Sequence, residues 1–507
     1  MKHQLVTLSA LALLSSVAAA MDTVVAPGQS IQAAIDLSQN GDRVLVQPGT
    51  YFETISFDGK GIEVIGTGGA EVTILDGAAA GPIVRFLPGQ DASALLQGFT
   101  VTHGHAALGA GGINSASASP RIEDCTIRSN SGKFGGGVSG NPTMRRCEIA
   151  GNSSSLSYGG GIYGAPHLYE CVIVDNSASG ADGGGIYLTG GVCNVTDCVV
   201  AANRVVLGDP ARGGGIAVHS SAVATIERSV IADNAGFGNI FGSYAGGIWA
   251  TPSTTIDSCT IVGNRSVSGG NTAGGGVWGA TTIRNTILRG NEPDQLANNP
   301  TVAWSNVEGG YAGLGNFDAD ALFVAPTASA DLHLASASPC IDAGNPSQVD
   351  PDGTRIDVGA FPFATLYPRG NTAAADWVAP SWTELSTTTG GLHALRISLE
   401  AAHAGEPYFL LGSFSGTTPG LVLDGQTLPL VVDAYTSLTL VAPAAAGLAG
   451  SIGILDGDGR AEATLTLPAG AVTSLAGATI HHAALTIDLA ILAVGATTNA
   501  VALQLLP

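Results

Sequence analysis

Between Cys125 and Asn291 the chain returns again and again to one short pattern. The clearest copy is Cys171 to Tyr187, CVIVDNSASGADGGGIY: a Cys, Ile173 two positions on, Asn176 three further, a polar loop, then Gly183-Gly184-Gly185-Ile186. The same frame recurs as Cys125, Ile127, Asn130 and Gly135-Gly136-Gly137-Val138, and as Cys147, Ile149, Asn152 and Gly159-Gly160-Gly161-Ile162. It follows as Cys198, Val200, Asn203 and Gly213-Gly214-Gly215-Ile216, and as Cys259, Ile261, Asn264 and Gly274-Gly275-Gly276-Val277. A weaker copy has Ser229, Ile231, Asn234 and Gly246-Gly247-Ile248, and a final half-copy reads as Asn285 in the Cys place with Ile287 and Asn291. Successive Asn residues stand 22, 24, 27, 31, 30 and 27 apart.

A period of this size marks a solenoid. The unit is too short and too glycine-rich for a helix pair, and its β-branched residues are spaced by two, as in a short strand with one buried face. One such strand cannot bury that face alone, whereas stacked coils wall one another. The expected fold is all-β: a parallel β-helix with coils about 4.8 Å apart. Its Gly triplets would turn corners. Its Asn residues would form a ladder at another corner, where Asn tolerates left-handed backbone and bonds to the next Asn.

On the C-x-I-x-x-N and GGG-I pairs, the repeat resembles those of polymorphic outer-membrane proteins and, more broadly, the right-handed parallel β-helices of the pectin-lyase-like superfamily, over roughly residues 30–363. The resemblance implies that fold; activity does not follow from it.

Read in order, Met1 to Ala20 has the form of a secretory signal: a short polar start, an apolar run from Leu5 to Val17, and Ala18-Ala19-Ala20 before cleavage. No other stretch is apolar over the ~18 residues that a bilayer-spanning helix needs. A secreted or cell-surface location is expected. The solenoid is assigned to residues 21–365. A helix over about 30–37, capped by Ser30, would cover its open end, where unpaired strand edges otherwise lie exposed. Strands are expected at Val44–Val46, Thr54–Phe57, Ile62–Ile65 and Val72–Leu75. The Gly41-Asp42 and Pro48-Gly49-Thr50-Tyr51 segments resemble the first coils of exported pectin-methylesterase-like and pectate-lyase-like β-helices. Repeats run over about 98–291, with loops from Ser131–Phe134 to Ala235–Ala245 on one side, where function usually resides. Residues 314–362 are expected to close the array, and resemble the C-terminal segment of bacterial choice-of-anchor Q proteins, exported β-helix proteins with varied attachment parts. In 366–507 the repeat is gone. Apolar runs at Tyr408–Leu411, Leu421–Leu423, Leu438–Val441, Ala463–Leu467, Leu485–Leu492 and Val501–Leu505 suggest a small antiparallel β-sandwich, too short for a membrane barrel.

The balance of 19 basic against 40 acidic residues, −21, disfavours nucleic acid and anionic membrane as partners, and a polyanionic sugar such as pectate unless bound Ca²⁺ intervenes. Cys125, Cys147, Cys171, Cys198 and Cys259 share one repeat position. They read as a column of buried thiols, since the coil spacing exceeds the Cβ separation of a disulfide. Their spacing does not suit zinc.

Chemistry has several candidate places. The position before each Cys holds Asp124, Arg146, Glu170, Asp197 and Arg228. Glu170 and Asp197 would sit on adjacent coils, flanked by Arg146 and Arg228, a spacing open to a retaining glycosidase pair or to a ladder of solvated charge. After each Gly run stand Asn114, Ser139, Tyr163, Tyr187, Ala217, Trp249 and Trp278. Alternation sends these outward, so Tyr163, Tyr187, Trp249 and Trp278 would form a flat strip able to stack on sugar rings, or an aromatic ladder that stabilises the sheet. Asp350, Asp352 and Asp357 could form a Ca²⁺ loop, as could Asp456, Asp458 and Glu462; both also fit plain acidic turns, and no cofactor is otherwise expected. His103 and His105, with no acidic or Cys partner in view, read as turn residues. The function expected is a non-enzymatic, monomeric adhesion or glycan-contact protein. The alternatives are a polysaccharide lyase or glycoside hydrolase, and a structural spacer of the cell envelope.

Overall fold

A computed structural model describes residues 21–361 apart from 156–157, 181, 209, 240–241, 324–331, 336 and 350–353. Beyond them it describes 365–366, 384–386, 391–398, 403–417, 419–424, 426–455, 460–468, 473–489, 493–497 and 501–506.

The first part is a right-handed parallel β-solenoid. Each coil adds one strand to each of three long parallel sheets of 12, 11 and 10 strands. In one coil, Arg121–Glu123 belongs to the first sheet, Thr126–Arg128 to the second and Val138–Gly140 to the third. Ile127, Ile149, Ile173, Val200, Ile231 and Ile261 are in register in the second sheet and fully buried. A second apolar column, Val138, Ile162, Ile186, Ile216, Ile248 and Val277, lines the third sheet. One continuous core therefore runs the length of the array, each coil supplying the wall for the next. The first helix, α1 (Ile31–Leu37), packs Ile31, Ala34 and Ile35 onto the open end, and the Ser30 hydroxyl accepts the Ala33 amide at 3.2 Å.

The corners follow simple backbone rules. Asp124, Arg146, Glu170, Asp197, Arg228, Ser258 and Asn285 all adopt a left-handed φ between the first and second sheets. The final half-copy is thus shifted by one from the sequence reading: Thr286 holds the Cys place, Leu288 pairs with Ile261 and points inward, and Ile287 points outward. At the next corner the left-handed residues are Ser129, Gly151, Asp175, Ala202, Asp233, Gly263 and Gly290. The Asn that follows each of them does not carry the strained φ expected for it. Its work is hydrogen bonding. Asn176 Nδ2 donates to Ile149 O at 2.8 Å and to Asn203 Oδ1 at 3.0 Å, while the Asn176 amide donates to the same Oδ1 at 3.0 Å. This pattern repeats from Asn130 to Asn264, and Gln295 Oε1 receives the last amide, from Asn291, at 2.6 Å. In the Gly triplets only the first residue is left-handed, as in Gly183 (φ +70). The second has no room: a Cβ on Gly184 would lie 2.2 Å from Gly214 O.

All seven cysteines are free and buried, the repeat-position five in one column. Cys193 and Cys340 lie elsewhere.

The closing segment departs from expectation. Residues 314–317 pair with the last coil, through Trp304 N to Leu314 O and Val307 N to Phe317 O. The chain then turns back along the outside of the second sheet. Leu332, Ala360 and Phe361 cover Val230, Ala232 and Val262, and Ala360 N donates to Thr260 Oγ1 at 2.9 Å. Ala321, Leu334, Cys340 and Val358 cover the outward Ile287.

In the C-terminal region, Gly391–Ser398, Arg460–Leu467, Leu448–Ala449 and Thr365–Leu366 form one sheet. Pro407–Ser413, Thr479–Asp488, Val501–Leu506, Ile452–Ile454 and Glu384–Ser386 form a second. Both are largely antiparallel and share a core of Leu395, Ile397, Leu410, Leu465, Ile480 and Leu503. Leu438–Val441, read as a strand, lies in the helix α2 (Ala434–Val441). The Asp433–Thr436 capping box starts that helix, and a short apolar run without a second signal fits either state.

Candidate functional site

The site lies where the Gly triplet turns into the third sheet. The column after the triplet is in register as Ser56, Arg85, Asn114, Ser139, Tyr163, Tyr187, Ala217, Trp249, Trp278 and Ala297. Tyr163 and Tyr187 stack with ring centroids 5.8 Å apart and 8° between planes; Trp249 and Trp278 stack at 6.0 Å and 16°.

This column is not the flat, open strip the sequence suggests. A second column, one residue before each triplet, rises beside it: Phe134, Tyr158, Asp182, Arg212 and Tyr244 are linked coil to coil by Gly135 N to Tyr158 O, Gly159 N to Asp182 O, Gly183 N to Arg212 O and Gly213 N to Tyr244 O. The triplet folds the two columns toward each other, with an offset of one coil. Phe134 meets Tyr163 at 5.1 Å, Tyr158 meets Tyr187 at 4.5 Å and Tyr244 meets Trp278 at 5.7 Å. The Arg212 guanidinium lies 5.0 Å over the Trp249 ring, a cation–π contact. Tyr187 is consequently only 7% exposed. The result is a cleft closed by contact between its two aromatic walls.

By the same offset Asp182 stands opposite Ala217, the one small residue between the two aromatic stacks. The cleft therefore has a polar notch at its middle, bounded by Tyr187 and Trp249 and holding Asp182 with Arg212 at 3.5 Å. Burial pushes the Asp182 carboxyl up to about 6, against the pull of Arg212. Burial raises the Tyr187 and Tyr163 hydroxyls too. The Trp249 Nε1 donor is enclosed and has no hydrogen-bond partner among the described residues. His219 stands 6.4 Å from the Tyr187 ring, its Nδ1 2.7 Å from Ser221 Oγ.

The carboxylates read from the sequence lie elsewhere. Glu170 and Asp197 occupy left-handed corner positions between the first and second sheets, away from the aromatic cleft. Arg228 grips Asp197 through two bonds at 2.9 and 3.0 Å, and Arg146 grips Asp124 at 2.7 and 3.1 Å. Glu170 accepts from Arg145 at 3.1 Å, and the Asp197 side chain is 4% exposed. These residues form a ladder of ion pairs between coils. Their carboxylates are held by arginines.

Asp350 and Asp352 lie outside the described residues; Asp357 is buried and accepts the Asp342 amide at 2.7 Å. Asp456 and Asp458 also lie outside them, and Glu462 sits in the strand Arg460–Leu467. His103 has an acidic partner that the sequence reading missed: its Nδ1 lies 3.0 Å from Asp76 Oδ2, one coil back. His105 Nδ1 lies 2.8 Å from Ser131 Oγ. Among the described residues no group of three or more His, Cys, Asp or Glu is placed to hold a metal ion.

Residues 54–211 match the family model described as right handed beta helix region. No curated protein matches the chain. No helix among the described residues is long and apolar enough to cross a membrane.

Proposed function

We propose that the two-walled cleft binds a glycan and that the protein is an exported adhesion or glycan-contact molecule without catalytic function. The observation that carries this reading is the pairing of the aromatic columns across the Gly corner. It gathers the part-exposed edges of Tyr163, Trp249 and Trp278 into one apolar surface against which sugar rings can pack, with polar groups beside it to hold hydroxyls, the mixture that ligand sites commonly show. The period of the cleft is the coil spacing, about 4.8 Å, so a chain of similar repeating rings can meet similar surroundings at several points.

The test is a glycan array probed with wild type, Tyr187→Ala and Trp249→Ala. Wild type should retain a defined set of oligosaccharides, and each variant should lose about tenfold or more in affinity for them. Absence of binding by wild type, or unchanged binding by both variants, overturns the proposal.

One observation favours a second reading, polysaccharide cleavage: Asp182 is a carboxyl in the cleft that holds its proton to near pH 6. Hydrolysis by a carboxylate pair needs two, and the two columns contain this one alone. New reducing ends or unsaturated products released by wild type and not by Asp182→Asn would establish cleavage and displace the binding reading.

A further inference from the structure

The outward column that carries Tyr163 and Tyr187 continues toward the N-terminal end as Ser139, Asn114 and Arg85. There it enters a separate cavity of about 460 Å³, lined by Pro82, Arg85, Phe86, Leu87, Leu108 and Asn114 among others. Arg85 is the one charged residue in that lining. The chain carries a charge of −21, and arginines such as Arg43, Arg121, Arg146, Arg212 and Arg284 are each paired with an acid. Arg85 has no acid partner among the described residues, and its guanidinium lies over Gly81, where an added Cβ would sit 3.6 Å from Nη2. The rim is apolar, with Leu87 and Leu108 exposed at 42% and 71%.

We infer that this cavity is an anion subsite, taking one carboxylate, sulfate or phosphate group carried at the end of an otherwise neutral glycan. The inference rests on the glycan-binding reading of the cleft. The guanidinium fork is built for planar or tetrahedral oxyanions, and Arg85 is exposed and so accessible to one. Arg85 stands three coils from Tyr163, about 14 Å at ~4.8 Å per coil, so a chain that lies on the aromatic rings and follows the column reaches it. The restriction to one anion follows from the rest of the surface, where the net negative charge repels a polyanion.

The experiment uses the full chain and a neutral oligosaccharide that binds on the array, compared with the same oligosaccharide oxidised to a carboxylate, sulfated or phosphorylated at its terminal residue. At low salt the wild type should bind at least one anionic form about tenfold more tightly than the neutral one. Arg85→Gln should remove that preference and leave neutral binding unchanged. Equal affinities in wild type, or a preference that survives Arg85→Gln, overturn the subsite while the cleft reading stands. If no oligosaccharide binds wild type, the cleft reading falls. The cavity is then judged by inorganic sulfate, followed through the Arg85 side-chain Nε–H resonance, which Arg85→Gln identifies. A saturable shift supports the anion site, and no shift overturns it.

Discussion

At the scale of single residues, the stacked asparagines show how one position can hold a coil to both of its neighbours. The Asn203 side chain accepts from the Asn176 amide and from Asn176 Nδ2, and donates to Ile173 O and to Asn234 Oδ1, all within 2.8–3.0 Å and out of water. Replacing it with Ala removes four hydrogen bonds and leaves two donors, the Asn176 amide and one Asn176 Nδ2–H, buried without an acceptor, while Asn234 Oδ1 keeps the residue 203 amide. Each such group costs roughly 1–3 kcal/mol. Asn203→Ala should therefore destabilise the solenoid by about 3 kcal/mol or more in urea unfolding, and a loss under about 1 kcal/mol would show the ladder to be ornamental. Sequence spacing made this ladder legible, because the Asn recurs at a constant distance from the inward Ile or Val. The left-handed corner beside it was not legible. Ser129, Asp175, Ala202 and Asp233 alternate there with Gly151, Gly263 and Gly290, and only the φ angles show what they share. Nor was the ion-pair ladder, since Asp124, Arg146, Glu170, Asp197 and Arg228 can be read equally as a site or as solvated charge until their partners are seen.

At the scale of elements, half of the cleft could be read from the chain. Alternation after the Gly triplet placed Tyr163, Tyr187, Trp249 and Trp278 on one face. The opposing column, Phe134 to Tyr244, was hidden by loops of unequal length: counted forward from the Cys these residues fall out of step, and counted back from the Gly they align. Asp182 sits in that column, and its burial has a measurable consequence. Its native pKa of about 6 stands above the ordinary 3.8, so the native state binds the proton more tightly than the unfolded chain does. The stability that proton brings is present below pH ~4 and lost as pH rises to about 6. The loss amounts to about 2–3 kcal/mol at most. Asp182→Asn should flatten this slope and equal or exceed wild-type stability at pH 7, with no gain at pH 4. A wild-type curve that stays level between pH 4 and 6 would contradict the buried-acid assignment. The sequence reading had residues 314–362 close the array and did not give the path of the returning segment, although a signal existed. Outward positions of the second sheet change from Arg128 and Glu148 to Val230, Ala232 and Val262, and the chain covers the apolar ones. An outward face that turns apolar marks where something else must pack.

At the scale of the whole molecule, each coil touches chiefly the coils beside it, with the Arg121–Glu63 ion pair reaching across two, so stability should sum mainly over neighbouring pairs. A whole unit can then be removed without altering the plan. Deleting residues 152–175 joins Gly151 to Asn176 and keeps every column in step, because the removed piece runs from one ladder Asn to the residue before the next. That variant should still unfold cooperatively, with a Tm lower by no more than about 10 °C. Deleting 152–163 takes half a coil, cuts the third sheet at Ile162–Gly164, leaves that coil unable to close and should yield no folded protein by circular dichroism. Equal outcomes for the two deletions would refute the nearest-neighbour picture.

The amide file from Asn130 to Gln295 also has a sense. In every contact between stacked asparagines the nitrogen belongs to the earlier coil and the oxygen to the later one, so the row is a vector with unlike ends. A second array could be grafted to this one only head to tail. Joined in the opposite sense, two oxygens or two nitrogens would confront each other at the seam, and the prism would part there.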